Sequence, residues 1–142
     1  MGLDQAMDIS VSGINATKTH MEIISSNLAN INTTRTAQGG PYRRKIPVYS
    51  EKPLEFSEAL NNAEKKISGG VEIREIMEDQ TPLQKVYNPG HPDADSDGFV
   101  SQPNISMSKE MVDMVYVSQL YGANITVYNA TKRMQQETLS LQ

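Results

Sequence analysis

Cysteine is absent from this 142-residue chain. That excludes disulfides, thiol nucleophiles and thiolate metal sites together, and leaves the compartment open. Tryptophan is absent too, and phenylalanine occurs twice. Apolar residues make up 37% of the chain, against a usual value of about 45–50% on a count that includes glycine. A chain of this length is one domain or two small ones, and a core built from so few large side chains is thin. Part of the apolar surface is therefore expected to be covered by other chains. An excess of basic charge is lacking as well. The net charge of −4 disfavours nucleic acid, because neutralising phosphates needs a basic field. Long hydrophobic runs are missing. The stretch Met114 to Thr131 has no charge but carries six Ser, Thr, Asn or Gln side chains, too polar to span a bilayer. MGLDQAMDIS at the start has neither a basic n-region nor an apolar run, so no cleavable secretory signal is expected there.

What is present is unevenly spread. Residues 1–34 hold four charged side chains, residues 108–142 hold six, and the 73 residues between hold twenty. All seven prolines also fall in the middle, from Pro41 to Pro103. Helix breakers are thus excluded from both ends and gathered in the centre. This predicts an α+β chain: an N-terminal helical segment over 1–34, a small β-rich middle domain over 35–106, and a C-terminal helix over 107–142. The two long helices are expected to pair as a coiled coil.

The spacing supports that pairing. In the first helix Met7, Ile14, Met21 and Leu28 recur every seven residues, with Leu3, Ser10, Thr17, Ile24 and Ile31 between them. That is a 3-4 seam over four heptads, about 45 Å long. In the second, Leu120, Val127, Met134 and Leu141 alternate with Val117, Asn124, Thr131 and Thr138. Met107, Met111, Met114, Tyr121, Ile125 and Tyr128 form another stripe on a different face. It reads either as a wide core face or as a surface for a second partner, which Met and Tyr suit. In the middle, strands are expected at Tyr42–Tyr49, Val71–Met77, Leu83–Tyr87 and Phe99–Gln102, and a short helix at Ser57–Lys66.

Chemistry is harder to find. Asp93, Asp95, Asp97 and Gly98 match the first half of a calcium loop, but position 12 is Asn104 and prolines flank the segment. An acidic solvated turn is the better reading. The two histidines, His20 and His91, lie in unlike segments and read as an exposed helix residue and a turn residue. Zinc would need more nitrogen or sulfur ligands than the chain supplies. Arg43-Arg44-Lys45 reads as a solvated basic strand face, or as a salt-bridge donor to a neighbour. No nucleophile elbow, phosphate-cradling loop or carboxylate pair is recognisable. The chain is read as a non-enzyme without cofactor, metal, small-molecule substrate or nucleic-acid partner.

At the end of the first helix the chain runs Ser25-Ser26-Asn27-Leu28-Ala29-Asn30-Ile31-Asn32-Thr33-Thr34. This resembles the N-terminal motif of the flagellar axial proteins, the rod and hook family. Gly40-Pro41-Tyr42-Arg43-Arg44-Lys45, Val86 to Asp95, Gly98 to Asn104, Glu110 to Met114 and Tyr121 to Asn124 extend the resemblance to a proximal rod component of the basal body. Gly122 stands where the pattern has a Glu.

The resemblance implies a structural subunit exported through the flagellar type III channel without a cleavable signal. Such subunits polymerise helically into a drive shaft across the periplasm or cell wall, transmitting torque from the membrane ring to the hook. It further implies an inner coiled-coil layer with a β domain outside. Implied partners are other rod subunits, further copies of itself, the membrane-ring adaptor and the export apparatus. Asn27, Leu28, Ala29, Asn30, Asn32 and Thr33 would then cap the first helix and turn the chain outward. The assembly surface would comprise Met7, Ile14, Met21, Ile24, Asn27, Leu28, Asn30, Asn32, Met111, Met114, Leu120, Tyr121, Asn124, Ile125, Val127, Tyr128 and Met134. Two other readings stand beside it: a calcium-binding regulatory module, and a different type III secreted helical protein such as a needle-complex rod subunit or a translocator.

Overall fold

A computed structural model describes residues 2–52 and 69–140 of the chain. Its elements run α1 (Leu3–Ala29), β1 (Lys45–Glu51), β2 (Val71–Glu78), β3 (Gln84–Tyr87), β4 (Phe99–Gln102) and α2 (Met107–Ser140). Two long terminal helices flank, in chain order, two small antiparallel sheets, β1-β2 and β3-β4. The α+β class and all four strand segments agree with the sequence reading. The helix expected at Ser57–Lys66 and the seam position at Leu141 lie outside the described residues.

α1 is 27 residues long, about 40 Å at 1.5 Å per residue. It ends at Asn30, whose side-chain amide donates to the carbonyl of Ser26 at 2.9 Å. Thr33 Oγ1 donates to Asn30 Oδ1. The last carbonyls are thus met from within the exit turn. Asn32 is exposed.

The helices run antiparallel. Asp4 accepts from Gln135 near one end of the pair, Gly13 lies against Asn124 in the middle, and Asn27 meets Glu110 at the other end. On α1 the buried positions include Ser10, Gly13, Thr17, Ile24 and Asn27, a 3-4 spaced line. Met7, Ile14, Met21 and Leu28 are half-buried beside it.

On α2 the fully buried positions are Glu110, Val117 and Thr131, seven or fourteen residues apart. Met114, Asn124, Tyr121, Tyr128 and Gln135, half-buried, complete the same face. This corrects the seam expected from the sequence. Val117, Asn124 and Thr131 do face α1, but their partners in the heptad are Met114, Tyr121 and Tyr128. Leu120, Val127 and Met134 point elsewhere and are 39%, 52% and 51% exposed. Either line lies three or four residues from Val117 and Asn124, so heptad spacing alone cannot choose between them.

β1 and β2 pair from Lys45↔Glu78 to Glu51↔Val71, with an irregularity between Val48 and Tyr49. This hairpin lies along α1. Val71 N–H donates to Ser12 Oγ at 3.0 Å, and His20 Nδ1 bonds Tyr49 Oη at 2.7 Å. β3 and β4 pair from Gln84↔Gln102 to Tyr87↔Phe99, where the two rings meet edge to face with centroids 5.3 Å apart. Gly98 has a φ of 81°, in the left-handed region glycine adopts without steric cost. A Cβ there would lie 2.9 Å from the Tyr87 ring, so both backbone and neighbour require glycine.

The apolar core is small. Among the described residues it consists of Ala16, Ile23, Ile24, Tyr42, Val100 and Val117. The chain exposes 9967 Å², against about 7,300 Å² for a compact monomer of the same mass. No described helix is long and apolar enough to cross a membrane.

Candidate assembly interface

One cluster of polar side chains fastens the helix pair to the sheets. Asn27, on the last turn of α1, is 1% exposed. Its Oδ1 accepts from the Lys45 N–H at 2.9 Å, and its Nδ2 donates to the Lys45 carbonyl at 2.9 Å. A side-chain amide thus pairs with both backbone groups of the first residue of β1, as a neighbouring strand would. Nδ2 also donates to Glu110 Oε2 at 3.1 Å, and Tyr42 Oη donates to Asn27 Oδ1 at 3.2 Å.

Glu110, on the first turn of α2, is 0% exposed. An isolated carboxylate in such a place would cost several kcal/mol. Arg44 compensates it, with Nε donating to Glu110 Oε1 and Nη2 to Asp113 Oδ2 at 3.2 Å. The Arg44 N–H donates to Asn104 Oδ1 at 2.9 Å. Asn104 Nδ2 in turn donates to the Asp79 carbonyl and to Thr81 Oγ1. Hydrogen bonds from the backbone and side chain of Thr81 hold the Asp79 carboxyl below its ordinary range. Among the described residues, no buried side-chain nitrogen or oxygen lacks a partner.

Three readings from sequence change here. Arg44 does not lie on a solvated basic face, because its side chain is 14% exposed and its guanidinium closes on Glu110. Asn27 does more than cap α1, since it reaches across to β1. His20 is half-buried instead of exposed. Burial lowers its pKa, and the Arg44 charge acts the same way against the opposing pull of Asp113 and Glu110. Burial also raises the Tyr49 pKa, so its hydroxyl stays protonated beside the imidazole. Sequence reasoning missed this cluster because its directly bonded members are up to 83 residues apart. The available signal was one Glu near the start of a helix otherwise poor in charge.

The acidic turn has a structural use. Asp95 Oδ1 accepts from the N–H groups of Asp97 and Phe99. Asp93 accepts from Thr34 Oγ1 at 2.9 Å and faces Arg35 at 3.7 Å. His91 Nδ1 accepts from the Asp93 N–H. These carboxylates face different donors, and they fold the turn onto the exit of α1.

The rest of α2 is unlike a surface helix. Met111, Val112, Val115 and Tyr116 are exposed together and line an open apolar groove of about 380 Å³ with Gln119. Farther along, Leu120, Val127 and Met134 are exposed. Tyr121, Asn124, Ile125 and Tyr128 are half-buried against or beside α1. Exposed apolar faces of this extent are candidate interaction surfaces.

Similarity to known proteins extends over both helices. Residues 7–35 match the family model described as flagella basal body rod protein. Residues 96–141 match the C-terminal model of the flagellar basal body rod FlgEFG proteins. The chain is 39% identical to the flagellar basal-body rod protein FlgC of Bacillus subtilis, covering 96% of this chain and 95% of the relative. It belongs to the FlgC family of flagellar basal-body rod proteins. FlgC of Borreliella burgdorferi is 35% identical, with 99% and 98% covered, and FlgC of Salmonella typhimurium is 36% identical over the same shares. A FlgC-family chain is a structural subunit of the flagellar rod and not an enzyme. The two matched segments hold most of α1 and all of α2, the elements joined by Asn27 and Glu110.

Proposed function

We propose that this chain is a subunit of the proximal rod that assembles through its helices, forming part of the shaft that carries torque from the membrane ring to the hook. One observation carries the reading: α2 pairs with α1 along a single face and leaves Leu120, Val127 and Met134 open to water. Burying such a row yields about 25 cal/mol per Å² of apolar area. The free subunit forgoes that gain until a neighbour arrives. Further copies, other rod subunits, the ring adaptor and the export apparatus are the partners this reading requires. The assembly surface comprises the outer faces of both helices, from Met7 to Leu28 and from Met111 to Met134. The buried network around Arg44 gives the β region a fixed attachment, so load on one part reaches the other.

Deleting the gene in its host tests the proposal. Loss of motility, with basal bodies lacking a rod beyond the ring, and recovery of both on complementation are expected. Motile deletion cells with complete shafts would overturn it.

A further inference from the structure

The turn between β3 and β4 contains a histidine whose bonding role is set by the backbone. The Asp93 N–H donates to His91 Nδ1 at 3.1 Å. A backbone N–H can only donate, so this ring nitrogen must keep its lone pair, and the bond requires the neutral imidazole with its proton on Nε2. His20 is not constrained in that way, because Tyr49 Oη can give or accept.

The same turn fastens one end of a hairpin. Asp93 accepts from Thr34 Oγ1 at 2.9 Å and faces Arg35 at 3.7 Å, both at the exit of α1. At the other end Asn104 accepts from the Arg44 N–H and donates to Asp79 and Thr81. Among the described residues, β3 and β4 touch neither helix and neither strand of the first sheet. The base attachment contains no histidine. The turn attachment depends on one.

Adding a proton to Nδ1 sets donor against donor at the Asp93 N–H. The imidazolium also stands two residues from the Asp93 carboxylate, where it competes with Thr34 and Arg35 for the same oxygens. The charged groups gathered at this turn are Asp93, Asp95 and Asp97 on it and Arg35 at the exit of α1, with the Tyr87 phenol of β3 against Gly98. Asp95 already accepts from the N–H groups of Asp97 and Phe99.

We infer that His91 is a pH-sensitive latch: neutral, it holds the β3–β4 turn on the exit of α1, and protonated, it releases that end of the hairpin while Asn104 keeps the base in place. Histidine changes charge between pH 5 and 8, so the joint between this hairpin and the helix pair loosens in mild acid.

The test uses the purified full-length chain carrying His20→Gln, which leaves His91 as the one imidazole. Nitrogen-15 spectra of the ring report its tautomer, and amide exchange, corrected for the intrinsic effect of pH, reports protection. At pH 8 the Nε2–H tautomer and a protected Asp93 amide are expected. At pH 5 the ring carries both protons and Asp93 protection falls about tenfold, the weight of one hydrogen bond. The Arg44 amide, bonded to Asn104, keeps its protection, which separates release of the turn from general unfolding. In His91→Asn the side-chain oxygen accepts from the same N–H as in an Asx-turn but does not titrate, so Asp93 stays protected at both pH values.

An Nδ1–H tautomer at pH 8, or equal Asp93 protection at pH 8 and pH 5, overturns the inference. So does an equal loss in His91→Asn, or a parallel loss at Arg44. Should His91→Asn not fold, the His20→Gln chain decides alone, since tautomer and protection must change over one pH range.

Discussion

Asn27 and Glu110 meet at 3.1 Å, although they are 83 residues apart. Each stands one turn or less from a helix end, and together they close the antiparallel pair where it joins β1. The contact also lets one amide serve α1, α2 and Lys45 at once.

Removing that amide should loosen all three. Asn27→Ala leaves the Lys45 N–H and carbonyl without their partners, each buried loss costing about 1–3 kcal/mol. The expected destabilisation is about 2–4 kcal/mol, read from denaturant midpoints at unchanged slope. A change below half a kcal/mol would show that water replaces the amide.

Arg44 and Glu110 should be strongly coupled. Arg44→Met strands a buried carboxylate and should cost about 3–5 kcal/mol. Glu110→Met alone should cost less, because Arg44 keeps Asp113 at 3.2 Å. The double variant should recover much of the loss, and a double-mutant cycle measures the difference. Strict additivity would mean that the pair does not act as a unit.

The His20–Tyr49 bond predicts a pH dependence with a definite sign. Burial holds the folded imidazole below its ordinary value of 6.5, so the folded chain binds fewer protons than the unfolded one. Its contribution is whole above pH 6.5 and is lost as pH falls below that value. Midpoints measured from pH 8 to pH 5 should drop for the wild type and flatten for His20→Gln. Equal slopes would exclude His20 as the source.

Two helix glycines should behave oppositely. A Cβ added at Gly122 would meet nothing within 4 Å, so Gly122→Ala should stabilise α2 by about 1 kcal/mol. A Cβ at Gly13 would stand only 2.9 Å from Asn124 Nδ2. Gly13→Leu should push the helices apart and lower the thermal midpoint, with loss of helix signal by circular dichroism.

Val127→Asp separates the chain from the assembly. Val127 is 52% exposed, so the carboxylate sits in water in the free subunit at little cost. Once a neighbour covers the seam, the same charge is buried and unpaired. Solubility and thermal stability should be unchanged while rods and motility are lost. Gln84→Asp, at the start of exposed β3, is the control and should assemble. Motile Val127→Asp cells would remove this seam from the interface.

Local chemistry determined much of this protein from its sequence alone. Proline confined to the middle, with charge concentrated there, predicted two terminal helices, and turn residues marked out the four strands. The motif Ser25 to Thr34, with the stretches from Gly40 to Asn104, carried the family resemblance. These signals lie within a few residues of one another, where backbone preference and side-chain spacing act directly. The tertiary structure decided which stripe of α2 meets α1. Leu120, Val127 and Met134 satisfy the heptad rule as well as Met114, Tyr121 and Tyr128 do, because periodicity describes one helix and not its partner. The close approach of Gly13 to Asn124 and the bond from Asn27 to Glu110 settle the register. Arg44 shows the same limit: in sequence it belongs to a basic run, and only the fold brings a buried carboxylate from α2 to meet it.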